Sequence, residues 1–142
     1  MTASLVRVVA MLSTLLAIPL ALVNWIHFSD SGFYISGRDS DVVFPPGDGY
    51  AIAALGALVL LTRLTRTVWP RLEVLFPLAC VLCGPGIMAI SGAVLLRDWA
   101  GERMWTLYAG LVLGIVISLC GAVMLAMRRG AASAGDATAA GR

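Results

Sequence analysis

Four long apolar runs separated by short polar stretches set the pattern of this chain. The clearest is Met104–Met127, 24 residues without a charge that end at Arg128 and Arg129. A helix of that length reaches ~36 Å, enough to cross a bilayer core of roughly 30 Å. Leu5–Ile26 is apolar apart from Arg7, a few Ser and Thr, and Asn24. It is longer than the apolar region of a cleavable leader and no small-x-small site closes it, so it predicts a permanent first span, kinked at Pro19. Leu72–Leu96 carries Glu73 near its start and is interrupted by Pro77 and by Gly84, Pro85 and Gly86. The run Gly49–Thr62, 14 residues, is short for a span. Tyr50 and Trp69 nevertheless mark interfaces at its two ends, and Arg63 and Arg66 can snorkel to headgroups. Without this crossing, the acidic loop before it and the Arg63, Arg66, Arg71 group after it would share a compartment, against the positive-inside tendency.

The pattern therefore predicts an all-α membrane protein, a four-transmembrane-helix bundle over residues 1–130. Spans are expected at about 5–27, 50–69, 72–97 and 104–128, followed by a small, polar, Gly-rich cytoplasmic tail over 131–142 that is expected to be disordered. All four tryptophans, Trp25, Trp69, Trp99 and Trp105, fall at predicted span ends. Small residues spaced by four mark faces for close helix contact: Ser13, Ala17 and Ala21 in the first span, and Gly110, Gly114, Ser118 and Ala122 in the fourth.

The one long loop, Phe28–Asp48, holds Asp30, Asp39, Asp41 and Asp48 against the single Arg38. Phe33–Ser36 and Val42–Phe44 are β-favouring runs on either side of a turn-rich stretch, and they predict a small outer hairpin. Pro45 and Pro46 end it, and Asp48 stands where an N-cap for the second helix belongs. Phe33, Tyr34 and Phe44 are costly to leave in water and Asp39 and Asp41 fall at the hairpin tip, so these five residues are the candidate partner-binding surface.

Composition narrows the chemistry. With 60% hydrophobic and 13% charged residues, the chain lies far from an average soluble domain at roughly 25% charged. All ten basic residues are Arg and form no stripe with interleaved aromatics, so no nucleic-acid partner is expected. Cys80, Cys83 and Cys120 all lie in apolar runs, which reads as packing rather than a disulfide framework. Cys80 and Cys83 do form a CxxC pair on one helix face, which keeps a membrane thiol oxidoreductase as the alternative reading. Against it, no loop carries a second cysteine pair to relay electrons. A small transporter is the third reading, because a helix interrupted at Gly84-Pro85-Gly86 can offer backbone groups to a substrate. Small multidrug exporters have a similar size and span count, but they need an acidic residue in the first span, and Leu5–Ile26 has none. His27 and the loop aspartates make an incomplete ligand set, so no metal or other cofactor is expected. Phosphate-cradling GxxxxGK, GxSxG and HExxH motifs do not occur.

Trp25 closing the first span, Ser36, Gly37 and Asp39 in the outer loop, and Gly47, Asp48 and Gly49 opening the second span resemble small uncharacterised four-span membrane proteins of high-GC Gram-positive bacteria. The resemblance covers the first half of the chain and implies a bacterial inner-membrane location; that family has no assigned activity. The expectation from sequence is a non-enzymatic interaction or accessory component. Besides the lipid bilayer, it would meet a protein partner through the outer loop, or self-associate through its small-residue helix faces.

Seven arginines (Arg7, Arg63, Arg66, Arg71, Arg128, Arg129, Arg142) fall on the side of the termini and three (Arg38, Arg97, Arg103) on the loop side, which predicts both termini in the cytoplasm. In a cysteine-free background, Ser40→Cys is expected to react with an impermeant thiol reagent on intact cells, and Gly135→Cys only after permeabilisation. Labelling of both from the same side overturns four spans.

Overall fold

Small residues decide which helix faces turn inward. The computed structural model describes residues 2–28, 33–36, 38–39, 47–69, 73–97 and 102–140. Its elements in chain order are α1 (Ala3–Leu22), β1 (Asn24–Phe28), β2 (Phe33–Ser36), α2 (Asp48–Val68), α3 (Leu75–Leu96), β3 (Glu102–Arg103) and α4 (Trp105–Ala140). Four of these are helices long and apolar enough to cross a membrane. Each helix packs on its neighbour in sequence and α4 closes the ring against α1. On α1 the buried residues are Val6, Ala10, Ser13, Thr14, Ala17 and Ala21, while Leu5, Val8, Leu12, Leu15 and Leu16 face outward. Leu82, Leu119 and Val112 are likewise exposed on α3 and α4. On α1, small side chains inside and bulky ones outside is the arrangement expected where lipid removes the hydrophobic drive between helices and close packing must replace it; the other helices add larger core residues such as Ile52, Ile87, Leu107 and Ile117.

Glycines set the closest approaches. A Cβ on Gly56 of α2 would lie 2.8 Å from Ile18 Cγ1 of α1, and one on Gly86 of α3 would lie 3.0 Å from Leu55 Cδ1 of α2. The tightest seam joins α3 to α4. A Cβ on Gly84 would fall on Ser118 Oγ and lie 2.8 Å from Ser118 N and 2.9 Å from Gly114 O. One on Gly114 would lie 3.0 Å from both Gly84 O and Met88 N. Ser118 Oγ apart, these neighbours are backbone atoms, which cannot rotate away.

The fourth-span face departs from the expected row at its far end. Gly110, Gly114 and Ser118 meet α3, but Ala122 is exposed and Gly121 takes its place against Cys80 and Pro77. A strict four-residue step drifts around a helix of 3.6 residues per turn, so contact returns to the seam by alternating steps of three and four. The buried positions Leu107, Gly114, Ile117, Gly121 and Met124 follow that alternation.

Several other expectations change. α3 runs unbroken from Leu75 to Leu96. Pro77 is in its first turn, where a missing N–H has no intrahelical partner to lose, and Pro85 is exposed on the outer face. α1 stops at Leu22, so Trp25 belongs to a strand and not to a span end. β1 is the centre of a three-stranded antiparallel sheet of order β2-β1-β3. Ile26 pairs with Ile35 of β2 and with Arg103 of β3, and a bulge falls between Asn24 and Ile26. β2 thus takes β1 as its partner; the second strand of the hairpin expected from sequence, Val42–Phe44, lies outside the described residues. Buried Ile26 and half-buried Ile35 form a cross-strand apolar pair. Asp48 is the first residue of α2 and Gly47 its N-cap, without a side-chain capping bond. A Cβ on Gly47 would fall on the Arg38 carbonyl, so the turn after β2 rests on the start of α2. Past Arg129, α4 continues as helix to Ala140 where the sequence suggests disorder; the alanines there are the strongest helix formers.

Gly84→Ala is expected to cost about 2 kcal/mol of stability, the clash outweighing a gain of roughly 1 kcal/mol in helix propensity. Ala122→Val is expected to stay within about 0.5 kcal/mol. Equilibrium unfolding in mixed detergent micelles measures both.

Candidate functional site

The alternating seam does not end where the apolar residues do. On α4 the step of seven from Gly121 reaches Arg128, and on the α3 side the step of seven back from Cys80 reaches Glu73. On α1 the same step back from Thr14 gives Arg7, and on α2 the step on from Gly56 gives Arg63. All four charged residues consequently converge at the end of the bundle where α1 begins and α2 finishes.

Glu73 is the hub. Arg7 Nη2 donates to its Oε1 at 2.8 Å and Arg128 Nη2 lies 3.6 Å from its Oε2. Arg63, on the fourth wall, stands with Cζ 5.9 Å from the centroid of the Phe76 ring, within cation–π range. Its side chain thus turns over the bundle end. Together these residues line a cleft of about 180 Å³ whose apolar floor includes Phe76, Pro77 and Met124. Among the described lining residues, three guanidinium groups stand against one carboxylate.

The opposite end carries the candidate partner-binding residues. Phe33 and Tyr34 are in β2, in register with Phe28 and His27 of β1. Asp39 is exposed in the turn that follows, its Oδ2 accepting from Ser36 Oγ at 2.6 Å and its N–H donating to Ser36 O at 3.0 Å. Asp41 and Phe44 lie outside the described residues. The fold thus brings Phe33, Tyr34 and Asp39 into one strand and its turn.

Elsewhere the helix interior holds the groups with reactive potential. Cys80, Cys83 and Cys120 are free and buried, so thiol chemistry there would need an oxidant to reach the packed seam. Ser91 is buried on α3 with no hydrogen-bond partner for its Oγ among the described residues, and it faces Gly110 of α4, whose added Cβ would lie 3.1 Å from that oxygen. Among the described residues no three His, Cys, Asp or Glu side chains gather as a metal site.

The cleft is the feature that reading the sequence by spans missed. Arg7 and Glu73 look like incidental polar residues at span ends, whereas the heptad phase of the small residues places them on the inward face. No family model, curated protein or solved structure matches this chain.

The Arg7 and Glu73 side chains are 33% and 28% exposed, between the surface pairs worth about 0–1 kcal/mol and the buried ones whose breaking costs about 3–5 kcal/mol. Glu73→Gln is expected to destabilise by about 1–2 kcal/mol, since it leaves three arginines facing one another. A double-mutant cycle with Arg7→Gln is expected to give a coupling of about 1 kcal/mol that shrinks as salt is raised.

Proposed function

We propose that this protein is a four-span component of a bacterial inner membrane, with both termini in the cytoplasm, that acts without catalysis and recognises a protein partner through its outer end. The observation that carries this reading is the sheet at that end. β1 ties the loop strand β2 to β3 from the connection between α3 and α4, so two separate outer segments form one shaped surface outside the lipid. Exposed Arg38 and Asp39 stand on the turn at its margin. Orientation is supported by charge: the opposite end gathers Arg7, Arg63 and Arg128 in one cleft, as a cytoplasmic face does. Self-association through Gly110, Gly114 and Ser118 is the weaker reading, because that face is occupied by α3.

A photo-crosslinking residue placed at Asp39 is expected to give a discrete protein adduct in intact cells, and the same residue at lipid-facing Leu82 is expected to give none. Asp39→Asn is expected to lower partner association mainly at low salt and leave thermal stability unchanged, as rim charges affect association rate more than folding. Equal adduct patterns at the two positions overturn outer-end recognition.

A further inference from the structure

We propose that the cleft formed by Arg7, Arg63, Glu73 and Arg128 binds the phosphate of an anionic phospholipid headgroup. This site is at the other end of the molecule from the surface proposed for partner recognition and stands independently of it. The chemistry of the walls points to an amphiphile. The upper wall supplies guanidinium groups from three helices, and the floor is apolar, with Phe76, Pro77, Met124 and Met127. A soluble anion would use only the first of these, whereas a headgroup with its glycerol and upper acyl carbons uses both. Depth agrees. Arg7 is the fifth residue of α1, ~6 Å along the axis from its start, a distance the long arginine side chain covers to bring its guanidinium to headgroup level. The charge is matched as well: among the described lining residues one carboxylate holds Arg7 and Arg128 in place, and the guanidinium groups outnumber it three to one, which favours an anion. Among the described residues Arg7 and Arg128 pair with Glu73 while Arg63 is held over the Phe76 ring, so its N–H groups are offered to a phosphate. Basic pockets between helices at the cytoplasmic side take phospholipid headgroups by this combination.

The test uses the full chain purified in neutral detergent, with thermal unfolding followed as lipid is added. Phosphatidylglycerol is expected to raise the unfolding temperature in a saturable way, phosphatidylcholine to leave it unchanged, and inorganic phosphate at equal concentration to leave it unchanged. Arg63→Gln is expected to weaken the phosphatidylglycerol midpoint about fivefold, the weight of one arginine beside an anionic headgroup, and Arg63→Lys to recover most of it. Arg97→Gln, at the outer end of α3, is expected to keep the wild-type midpoint. Unfolding of each variant in phosphatidylcholine alone separates a folding defect from lost binding. Should Arg63→Gln prove unfolded there, Arg128→Gln replaces it with the same expectation. An equal shift with inorganic phosphate assigns the anion to the aqueous phase and overturns the lipid proposal. A phosphatidylglycerol midpoint indifferent to the arginine variants overturns the site.

Discussion

Backbone contact between α3 and α4 is the constraint on which the rest of the structure depends. In lipid, burying an apolar side chain against another helix gains little over leaving it among acyl chains, so association rests on how many atoms can be brought within van der Waals range. Gly84 and Gly114 remove the side chains that would hold the two helices apart, and Ser118 keeps its hydroxyl on the Gly114 carbonyl at 2.8 Å, within its own helix. With that seam closed, Gly86 can meet α2 and Gly56 can meet α1, and the ring of four helices follows.

The same seam explains why charge sits inside the bundle end. A helix face that alternates steps of three and four does not stop at the edge of the hydrocarbon, and the side chains that continue it still point toward the axis. Beyond Phe76 and Met124 those positions need a chemistry that tolerates partial hydration. Arginines grouped on a glutamate supply it, and their aliphatic stems extend the apolar wall to the surface. At the other end, where the chain has left the membrane, backbone groups are satisfied by strand pairing.

The four spans were legible in the sequence because length and apolarity mark three of them, and charge sidedness decided the short run in α2. The inward role of Ser13, Ala17 and Ala21 was legible too, as was that of Gly110, Gly114 and Ser118. Ala122 was misplaced because a fixed step of four was carried one turn too far. Gly84, Pro85 and Gly86 suggested a break, but two glycines beside a proline mean close packing when a neighbouring helix has glycine at the same level, and pairing between helices is not visible along one chain. The sheet was half visible: β2 was marked by its residues, whereas β1 was hidden in the apolar run of the first span. The cleft escaped for a related reason, since Arg7 and Glu73 are 66 positions apart in sequence and only the bundle brings them together.

The central position of β1 also orders the events of synthesis. Its first partner, β2, follows after a short connection, but β3 lies beyond two further helices, with Glu102 75 positions after His27, its partner in register. At chain elongation of about 5–20 residues per second, the second edge of β1 waits roughly 4–15 s, through the insertion of α2 and α3, before its partner exists. During that interval a two-stranded ribbon, marginal by itself, stands beyond the bilayer with one row of backbone N–H and C=O groups unpaired. Arrival of β3 completes the sheet only when α3 has already crossed. The finished sheet is therefore a latch that closes only after three crossings and ties the first of them to the start of the fourth.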